Sequence, residues 1–437
     1  MAIVYAQLDI LEPFSTASDW WVIAVGALTN VACALVGCYL VLRRMSLMGD
    51  ALSHAVLPGL VLAFLLSGSL NILPLFLGAV AIGLLSTFLI QTLHQYGRVP
   101  ADASMGVVFT SLFALGVILI KRYVSGLHFD AACVYEGSLQ FVALDSVEVA
   151  GYWIPRTLLT IAPVVLLNLA VIGLLWKELK LSSFDAQLAS AMGFSATTMH
   201  YLLMVLVSVT TVASFEAVGS ILVVAMLIVP PATAHLLCDR LGRMMAVACA
   251  LAVAAAVVGY WAALTWNVNP AGAMTVAAGG FYAVTVFLSP RYGVLSTLIR
   301  NARTSLRIVR EDLLGMLYRV EELGSRERLE TGAAIEAVGD SMLARAALAS
   351  LVRDGQILRS QGRLALTEPG RDAARQLVRT HRLWEAYLVQ HLGLPLDHVH
   401  GPAHRVEHFI DEKIQRDLEA AVDDAATDPH GRDIPDS

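Results

Sequence analysis

Nine runs of apolar residues, most of them long enough to cross a bilayer, fill the first 290 positions of this chain and then stop. They fall at 20–42, 51–67, 72–94, 101–120, 157–176, 198–215, 217–238, 244–265 and 272–289. A hydrocarbon core takes roughly 20 apolar residues per helix. Lipid offers the backbone no hydrogen-bond partners, so such runs must be helical. The run at 51–67 is short and those at 198–238 share almost no connector, so eight or nine transmembrane helices are expected. Charge divides the chain at the same place. Residues 1–300 hold 25 acidic and basic side chains and residues 301–437 hold 41, about 8% and 30%. The second figure is near the roughly 25% of a soluble domain and the first is far below it. A single soluble enzyme, a disordered chain and a secreted disulfide scaffold are all excluded. Net charge is −1 in the first part and −5 in the second, which does not favour a nucleic-acid binder on bulk electrostatics.

The five cysteines, Cys33, Cys38, Cys133, Cys238 and Cys249, are scattered in or near apolar runs with no C-x-x-C pair. They read as free thiols serving as small apolar residues. The first fifteen residues carry Asp9 and Glu12 and no basic stretch, which is not the pattern of a cleavable signal. Basic residues mark the cytoplasmic ends of membrane helices. With nine spans, Arg43, Arg44, Lys177, Lys180, Arg240, Arg243, Arg291 and Arg300 fall on one side. The N-terminus is then outside and the polar part inside; Lys121 and Arg122 are on the wrong side. The mixed segment 123–155, with Asp130, Glu136, Asp145 and Glu148, is a candidate re-entrant piece.

Within the membrane part, Asp50 and His54 are spaced i, i+4 and share a helix face. They read either as a cation-binding pair on an ion pathway or as a helix cap beside a packed histidine. Glu216 lies between two apolar runs, as a pathway group or an interfacial one. His235 follows Pro230-Pro231, which are expected to break a helix and bare carbonyls that protein must cover. Phe184–Gly193 (FDAQLASAMG) is too short to span. It reads as an amphipathic helix in a cytoplasmic loop, suited to docking a partner, or as a plain connector.

The polar part concentrates ligand-type side chains. Seven of the twelve histidines lie in 381–430. His381 and Glu385, and His404 and His408, are i, i+4 pairs, with His400 a turn earlier and Glu407 adjacent. Imidazole and carboxylate without thiolate suit Mn, Fe, Zn or Co. Upstream, Glu311–Glu322 and Ser341–Asp354 have helical periodicity, Gln356–Leu366 reads as a hairpin turning at Gln361–Gly362, and a long helix follows over about 370–392. That order is the order of a winged helix-turn-helix. The last dozen residues are expected to fray.

Two resemblances follow. Leu42–Gly59 (LRRMSLMGDALSHAVLPG), Gly106–Gly116 (GVVFTSLFALG), Phe184–Gly193 and Ala217–Ala234 (AVGSILVVAMLIVPPATA) resemble the permease subunits of ABC importers for manganese, zinc and iron. The resemblance implies that Asp50 and His54 line the metal path, with Glu216 and His235 as further candidates, and that Phe184, Asp185, Ala189, Met192 and Gly193 couple to the ATPase. It implies three partners: an ABC ATPase, an extracytoplasmic metal-binding protein and a second permease, either this chain or a paralogue. The chain has no G-x-x-x-x-G-K-[ST] sequence, so it is read as a transport subunit, not an enzyme, with ATP hydrolysis on another chain.

Residues 308–412 resemble the diphtheria-toxin-repressor family of metal-dependent regulators, through Glu311–Leu314 (EDLL), Leu366–Arg371 (LTEPGR), His381–Glu385 (HRLWE) and Val399-His400-x-x-x-His404-x-x-Glu407-His408. That resemblance implies one metal site at His381, Glu385 and His400, and another at Asp312, His404, Glu407 and His408. Asp312 resembles the manganese-responsive branch. His404 departs from the usual Cys or Glu, Gly315 lacks a further carboxylate, and no counterpart of the family's SH3-like domain is present. Candidate DNA contacts are Arg345, Arg359 and Arg363. A basic face is what phosphate contacts need, and Asp340 and Asp354 weaken this one.

The expected protein is thus an all-α polytopic membrane bundle over 1–300, a winged-helix domain over 301–380, and a helical metal-binding and dimerisation region over 381–437. Its place is the inner (plasma) membrane, in contact with membrane lipid, with a cytoplasmic C-terminal part. A divalent metal is both cargo and candidate regulator, and no organic cofactor is expected. A metal sensor acting on the permease is the favoured role of the C-terminal part. A DNA-binding regulator, tethered or released by proteolysis, is the alternative.

Overall fold

The structure is a computed structural model that describes residues 17–68, 72–123, 137, 139–149, 151–324, 329–422 and 426–436. Its chain contacts divide into two compact units, 1–296 and 297–437.

The first unit is a helical bundle. Its helices are α1 (Ala17–Leu42), α2 (Met48–Ala55), α3 (Leu57–Ser67), α4 (Ile72–Gln95), α5 (Ala101–Tyr123), α6 (Arg156–Leu174), α7 (Trp176–Phe184), α8 (Ala186–Ala191), α9 (Ala196–Leu237), α10 (Leu241–Trp266) and α11 (Pro270–Leu288). Among the described residues nine stretches are long and apolar enough to cross a membrane, with α2 and α3 forming one of them and α9 two. The α2–α3 junction falls at Val56 because Pro58 sits in the first turn of α3, where its missing N–H costs nothing.

Helix α1 packs chiefly against α9 and α10, so the centre of the bundle is built from three apolar faces. Small residues set how closely they meet. A side chain at Gly37 on α1 would come within 2.1 Å of the Leu227 carbonyl oxygen on α9. Leu227 lies four residues before Pro231, which cannot donate to that oxygen. Protein backbone therefore covers the carbonyl that the proline leaves without a helical partner.

The paired prolines do not break α9, contrary to the sequence expectation. The helix runs through them to Leu237, and its one non-helical residue lies earlier, at Gly219 (φ 72°, ψ 167°). Only glycine takes that conformation without steric cost. The backbone of Gly137 sits against this break: a side chain there would meet the Gly219 nitrogen at 2.4 Å. The described part of 123–155 continues with a 3-10 turn, Leu139–Phe141, whose Leu139 is buried, and a hairpin of β1 (Ser146–Val149) and β2 (Tyr152–Pro155). Asp130, Cys133 and Glu136 lie outside the described residues.

The second unit begins within α12 (Val294–Glu322). It continues with α13 (Thr331–Ala337), α14 (Met342–Arg353), an antiparallel wing of β3 (Ile357–Ser360) and β4 (Arg363–Leu366), α15 (Glu368–Leu392), α16 (His400–Val406) and α17 (Glu412–Ala421). Leu313, Leu314 and Leu317 of α12, Ala347, Leu348 and Leu351 of α14, and Ile357, Leu364 and Leu366 of the wing form one apolar core. The wing turns at Gln361 and Gly362, both with positive φ, as a two-residue hairpin requires.

Three differences from the sequence reading stand out. Helix α12 is a single helix from Val294, where the expected segment began at Glu311. Helix α13 was missed, because a seven-residue element with Gly332 and three alanines has no apolar period. The C-terminal end is ordered rather than frayed. Asp428 accepts hydrogen bonds from the backbone of His430 and Arg432, and Ile434 is buried. The ordering comes from buried cations on α15: Arg382 donates to the Asp433 carbonyl oxygen and lies 3.7 Å from Asp428, while Arg379 donates to the Pro435 carbonyl oxygen. A polar tail gains order when its acceptors satisfy arginines that would otherwise be buried unpaired.

Candidate metal centres

Helix α15 presents His381 and Glu385 one turn apart on the face that meets α16. Helix α16 brings His400 to the same point. The His381 Nε2 atom is 3.1 Å from Glu385 Oε1 and 3.0 Å from His400 Nδ1, and His400 Nδ1 is 2.9 Å from Glu385 Oε1. His381 and Glu385 are buried, whereas the His400 ring is 63% exposed, so this group opens to solvent on one side.

The second group joins α12 to the end of α16. Asp312 supplies a carboxylate from α12, and His404 an imidazole from the last turn of α16. Glu407 and His408 follow in a 3-10 turn, so His408 does not continue the helix of His404 as its spacing suggested. His404 Nε2 lies 3.8 Å and His408 Nε2 3.4 Å from Asp312 Oδ1, and His408 Nε2 is 3.7 Å from Glu407 Oε1. In each group, one donor atom per residue lies within 4.8 Å of all the others. Asp312 Oδ1 and His408 Nε2 are buried without a hydrogen-bond partner in the structure. Buried polar atoms are normally satisfied, so this pair has the unmet valence that a cation between the four residues would fill. The residues fit a borderline to hard divalent ion.

Glu407 connects the two groups. Its Oε1 faces the second group, 2.8 Å from His404 Nδ1. Its Oε2 accepts from His381 Nδ1 at 2.5 Å. A carboxylate behind a ligating imidazole fixes the ring's orientation and tautomer. Burial pushes the Glu407 carboxyl up, but the hydrogen bond and charge of His381 outweigh it and hold the group below its usual range. Burial likewise opposes the charged forms of Glu385 and His408. His381 brings Glu385 down to about 2. The negative charge of Asp312 and the carboxylate of Glu311, which accepts from His408 Nδ1, lift His408 to about 9.

The sequence reading did not count Glu311, whose Oε2 accepts from His408 Nδ1 at 2.7 Å. Its position beside Asp312 was the available signal. Arg382 was also missed as a structural partner; it pairs with Glu322 at 2.5 Å, next in sequence to a ligand candidate. His398 pairs with Asp397 on the surface, away from either group.

In the membrane unit, Asp50 and His54 share a face of α2, with His54 Nε2 3.5 Å from Asp50 Oδ1. The His54 ring lies against Phe109 and Phe113 of α5 at 5.9 and 5.8 Å. The Glu216 side chain lies outside the described residues. His235, in the last turn of α9, is exposed and lines a cavity with Leu42, Phe184, Arg240 and Tyr292 rather than joining Asp50 and His54.

Phe184 ends α7, and Asp185 caps α8 by accepting from the backbone of Gln187 and Leu188. Ala189 is buried, while Phe184 and Met192 are each 60% exposed. Gly193 follows in a left-handed turn (φ 87°). In the winged helix, Arg345 pairs with Asp340 at 2.9 Å, and Arg359 and Arg363 are exposed on the wing.

A multi-helix membrane bundle carrying a soluble unit with two histidine–carboxylate centres defines a membrane transport component with an attached metal-binding domain. The chain belongs to the ABC 3 transport family, which matches residues 19–289. Residues 367–436 match the iron dependent repressor, metal binding and dimerisation domain. Over 282 residues the chain is 47% identical to the manganese transport system membrane protein MntD of Bacillus subtilis, covering 64% of this chain and 95% of that one. It is 38% identical over 274 residues to the zinc transport system membrane protein TroD of Treponema pallidum, covering 63% and 75%. The solved structure of PsaBC from Streptococcus pneumoniae in complex with Fab matches with a TM-score of 0.55 and 32% identity, covering 67% of this chain and 98% of that one.

Proposed function

We propose that this chain is the permease subunit of an ATP-driven divalent metal importer whose soluble part senses the same class of metal and regulates transport. The observation that carries the reading is the presence, in one chain, of an ABC 3 permease and two convergent histidine–carboxylate groups. Manganese is the favoured cargo, then zinc or iron, since the relatives are named for manganese and zinc transport and the donor set suits all three. The domains are assigned as 1–300, 301–380 and 381–437, in the inner membrane with the soluble part in the cytoplasm.

ATP hydrolysis belongs to a separate ATPase chain, which docks on the apolar surface of Phe184, Leu188 and Met192. The Asp185 cap makes α8 rigid enough to pass that chain's motion into α7 and α9. A second permease, this chain or a paralogue, completes the pathway, and an extracytoplasmic metal-binding protein supplies it. Asp50 and His54 line the path, with Glu216 and His235 as further members. In the soluble part, Asp312, His404, Glu407 and His408 hold one ion and His381, Glu385 and His400 the other. A bound ion supplies positive charge that ties α12 to α16 and replaces protons on the histidines.

Uptake of radioactive Mn²⁺ into proteoliposomes holding the assembled transporter tests the path: Asp50→Ala with His54→Ala abolishes uptake, and normal uptake by that variant would refute the assignment. The exposed wing residues Arg359 and Arg363 favour a second reading as a metal-dependent DNA-binding regulator, tethered or released by proteolysis. The pairing of Arg345 with Asp340 weighs against it. A mobility shift with operator DNA that appears only with Mn²⁺ would select that reading.

A further inference from the structure

From Arg291 to Arg310 the chain holds five arginines and no Asp or Glu. Most of this stretch is the first half of α12, which begins a few residues after α11, itself long and apolar enough to span a membrane. At 3.6 residues per turn, Val294, Leu295, Leu298 and Ile299 fall within a sector of about 140°. Arg300, Arg303, Arg307 and Arg310 fall in the adjoining sector of about 80°; Arg307 pairs with Glu311 and Arg310 with Asp354, while Arg300 and Arg303 are exposed at the open end of the helix. The four apolar side chains are 44%, 49%, 60% and 44% exposed. Further along the same helix, Leu306 and Val309 are packed against the winged-helix core. The apolar stripe is therefore covered by protein at one end of α12 and open at the other.

We propose that the first half of α12 lies in the headgroup layer of the cytoplasmic leaflet, with its apolar stripe toward the acyl chains and Arg300 and Arg303 on anionic lipid phosphates. Three observations select lipid over a protein or nucleic acid. The helix starts within reach of the membrane because the chain leaves a spanning helix just before it. An apolar stripe flanked by arginines is the pattern of a helix lying in the interface plane. The charge is of one sign, which suits the anionic inner leaflet; DNA would take the arginines and leave Leu298 and Ile299 in water. The contact would hold the root of the sensor unit at the membrane surface. Placement in the cytoplasmic leaflet rests on the proposed orientation of the permease.

The full chain with Leu298→Cys, labelled with an environment-sensitive fluorophore and corrected for labelling of the parent chain, is reconstituted in phosphatidylcholine vesicles with and without phosphatidylglycerol. With phosphatidylglycerol, the label should shift to the blue, be quenched by brominated lipid and be shielded from iodide. Reversal of Arg300→Glu and Arg303→Glu should lower the inserted population by about fivefold per arginine. A label open to iodide in the anionic vesicles would overturn the proposal. So would insertion that ignores both lipid charge and the reversals, or shielding that appears only when the ATPase or DNA is added. In right-side-out membrane vesicles, an impermeant thiol reagent should reach Leu298→Cys only after permeabilisation. Reaction from outside would overturn the orientation while leaving the lipid-quenching result to stand or fall by itself.

Discussion

Replacing Glu407 with glutamine tests whether the two metal groups of the soluble unit are one device. Glu407 is a ligand candidate in the second group through Oε1. Through Oε2 it is the carboxylate behind the His381 ring, at 2.5 Å, in the first group. Loss of such an outer partner typically lowers metal affinity 10–100-fold, or about 1.4–2.7 kcal/mol. Glu407→Gln should therefore weaken the Asp312 group directly and also weaken the His381 group, which Glu407 never contacts as a ligand in the proposed sets. Glutamine keeps the volume and a hydrogen-bonding carbonyl. Glu407→Ala is the less informative variant, because it takes one of two carboxylate partners from the buried His381, and breaking a buried pair costs about 3–5 kcal/mol, a large part of a typical domain's stability. The assay is titration of the purified full chain with Mn²⁺, followed by electron paramagnetic resonance of the free ion, with His400→Ala as the control that removes only the first group. If Glu407→Gln abolishes one class of site and leaves the affinity of the other within about twofold, the bridge transmits nothing and the reasoning fails.

Metal affinity should rise with pH up to about 9, because an ion must displace the proton that Asp312 and Glu311 hold on His408; calorimetric titrations at several pH values measure this, and a profile flat above pH 7 would contradict it. In the metal-free chain the sign is opposite. The raised His408 stabilises the fold fully below its ordinary value near 6.5 and loses that contribution as pH climbs through about 9, while the lowered Glu385 contributes above about 4.5 and is lost as pH falls through about 2; chelator-treated protein in thermal melts across pH checks both limbs. Gly37→Ala should force α1 away from the Leu227 carbonyl and cost about 1–3 kcal/mol, seen as a lower melting temperature of the detergent-solubilised chain. Phe184→Asp with Met192→Asp should abolish ATP-dependent uptake while shifting stability by no more than about 0.5 kcal/mol, since both side chains are mostly exposed.

The bundle was readable in the chain because hydrophobic length is a local property. A run such as 244–265 must be helical in lipid whatever its neighbours do, and the observed α10, Leu241–Trp266, extends it by only a few residues. The grouping of candidate ligands in the soluble unit was readable for a similar reason: His381 and Glu385 share a helix face by spacing alone, and the ions proposed for them follow from side-chain type. What sequence could not decide was which distant backbones touch. Pro230-Pro231 looked like a break, but α9 stays helical through them because Gly37 lets α1 lie against the Leu227 carbonyl; the irregular residue moved to Gly219, where Gly137 meets it. The same holds for Glu407, whose two oxygens face opposite groups only once α15 and the 3-10 turn after α16 are packed together. The last dozen residues read as frayed because they are polar. The tail is ordered because Arg379 and Arg382 are buried beneath it, and buried cations need acceptors that only the folded chain brings to them.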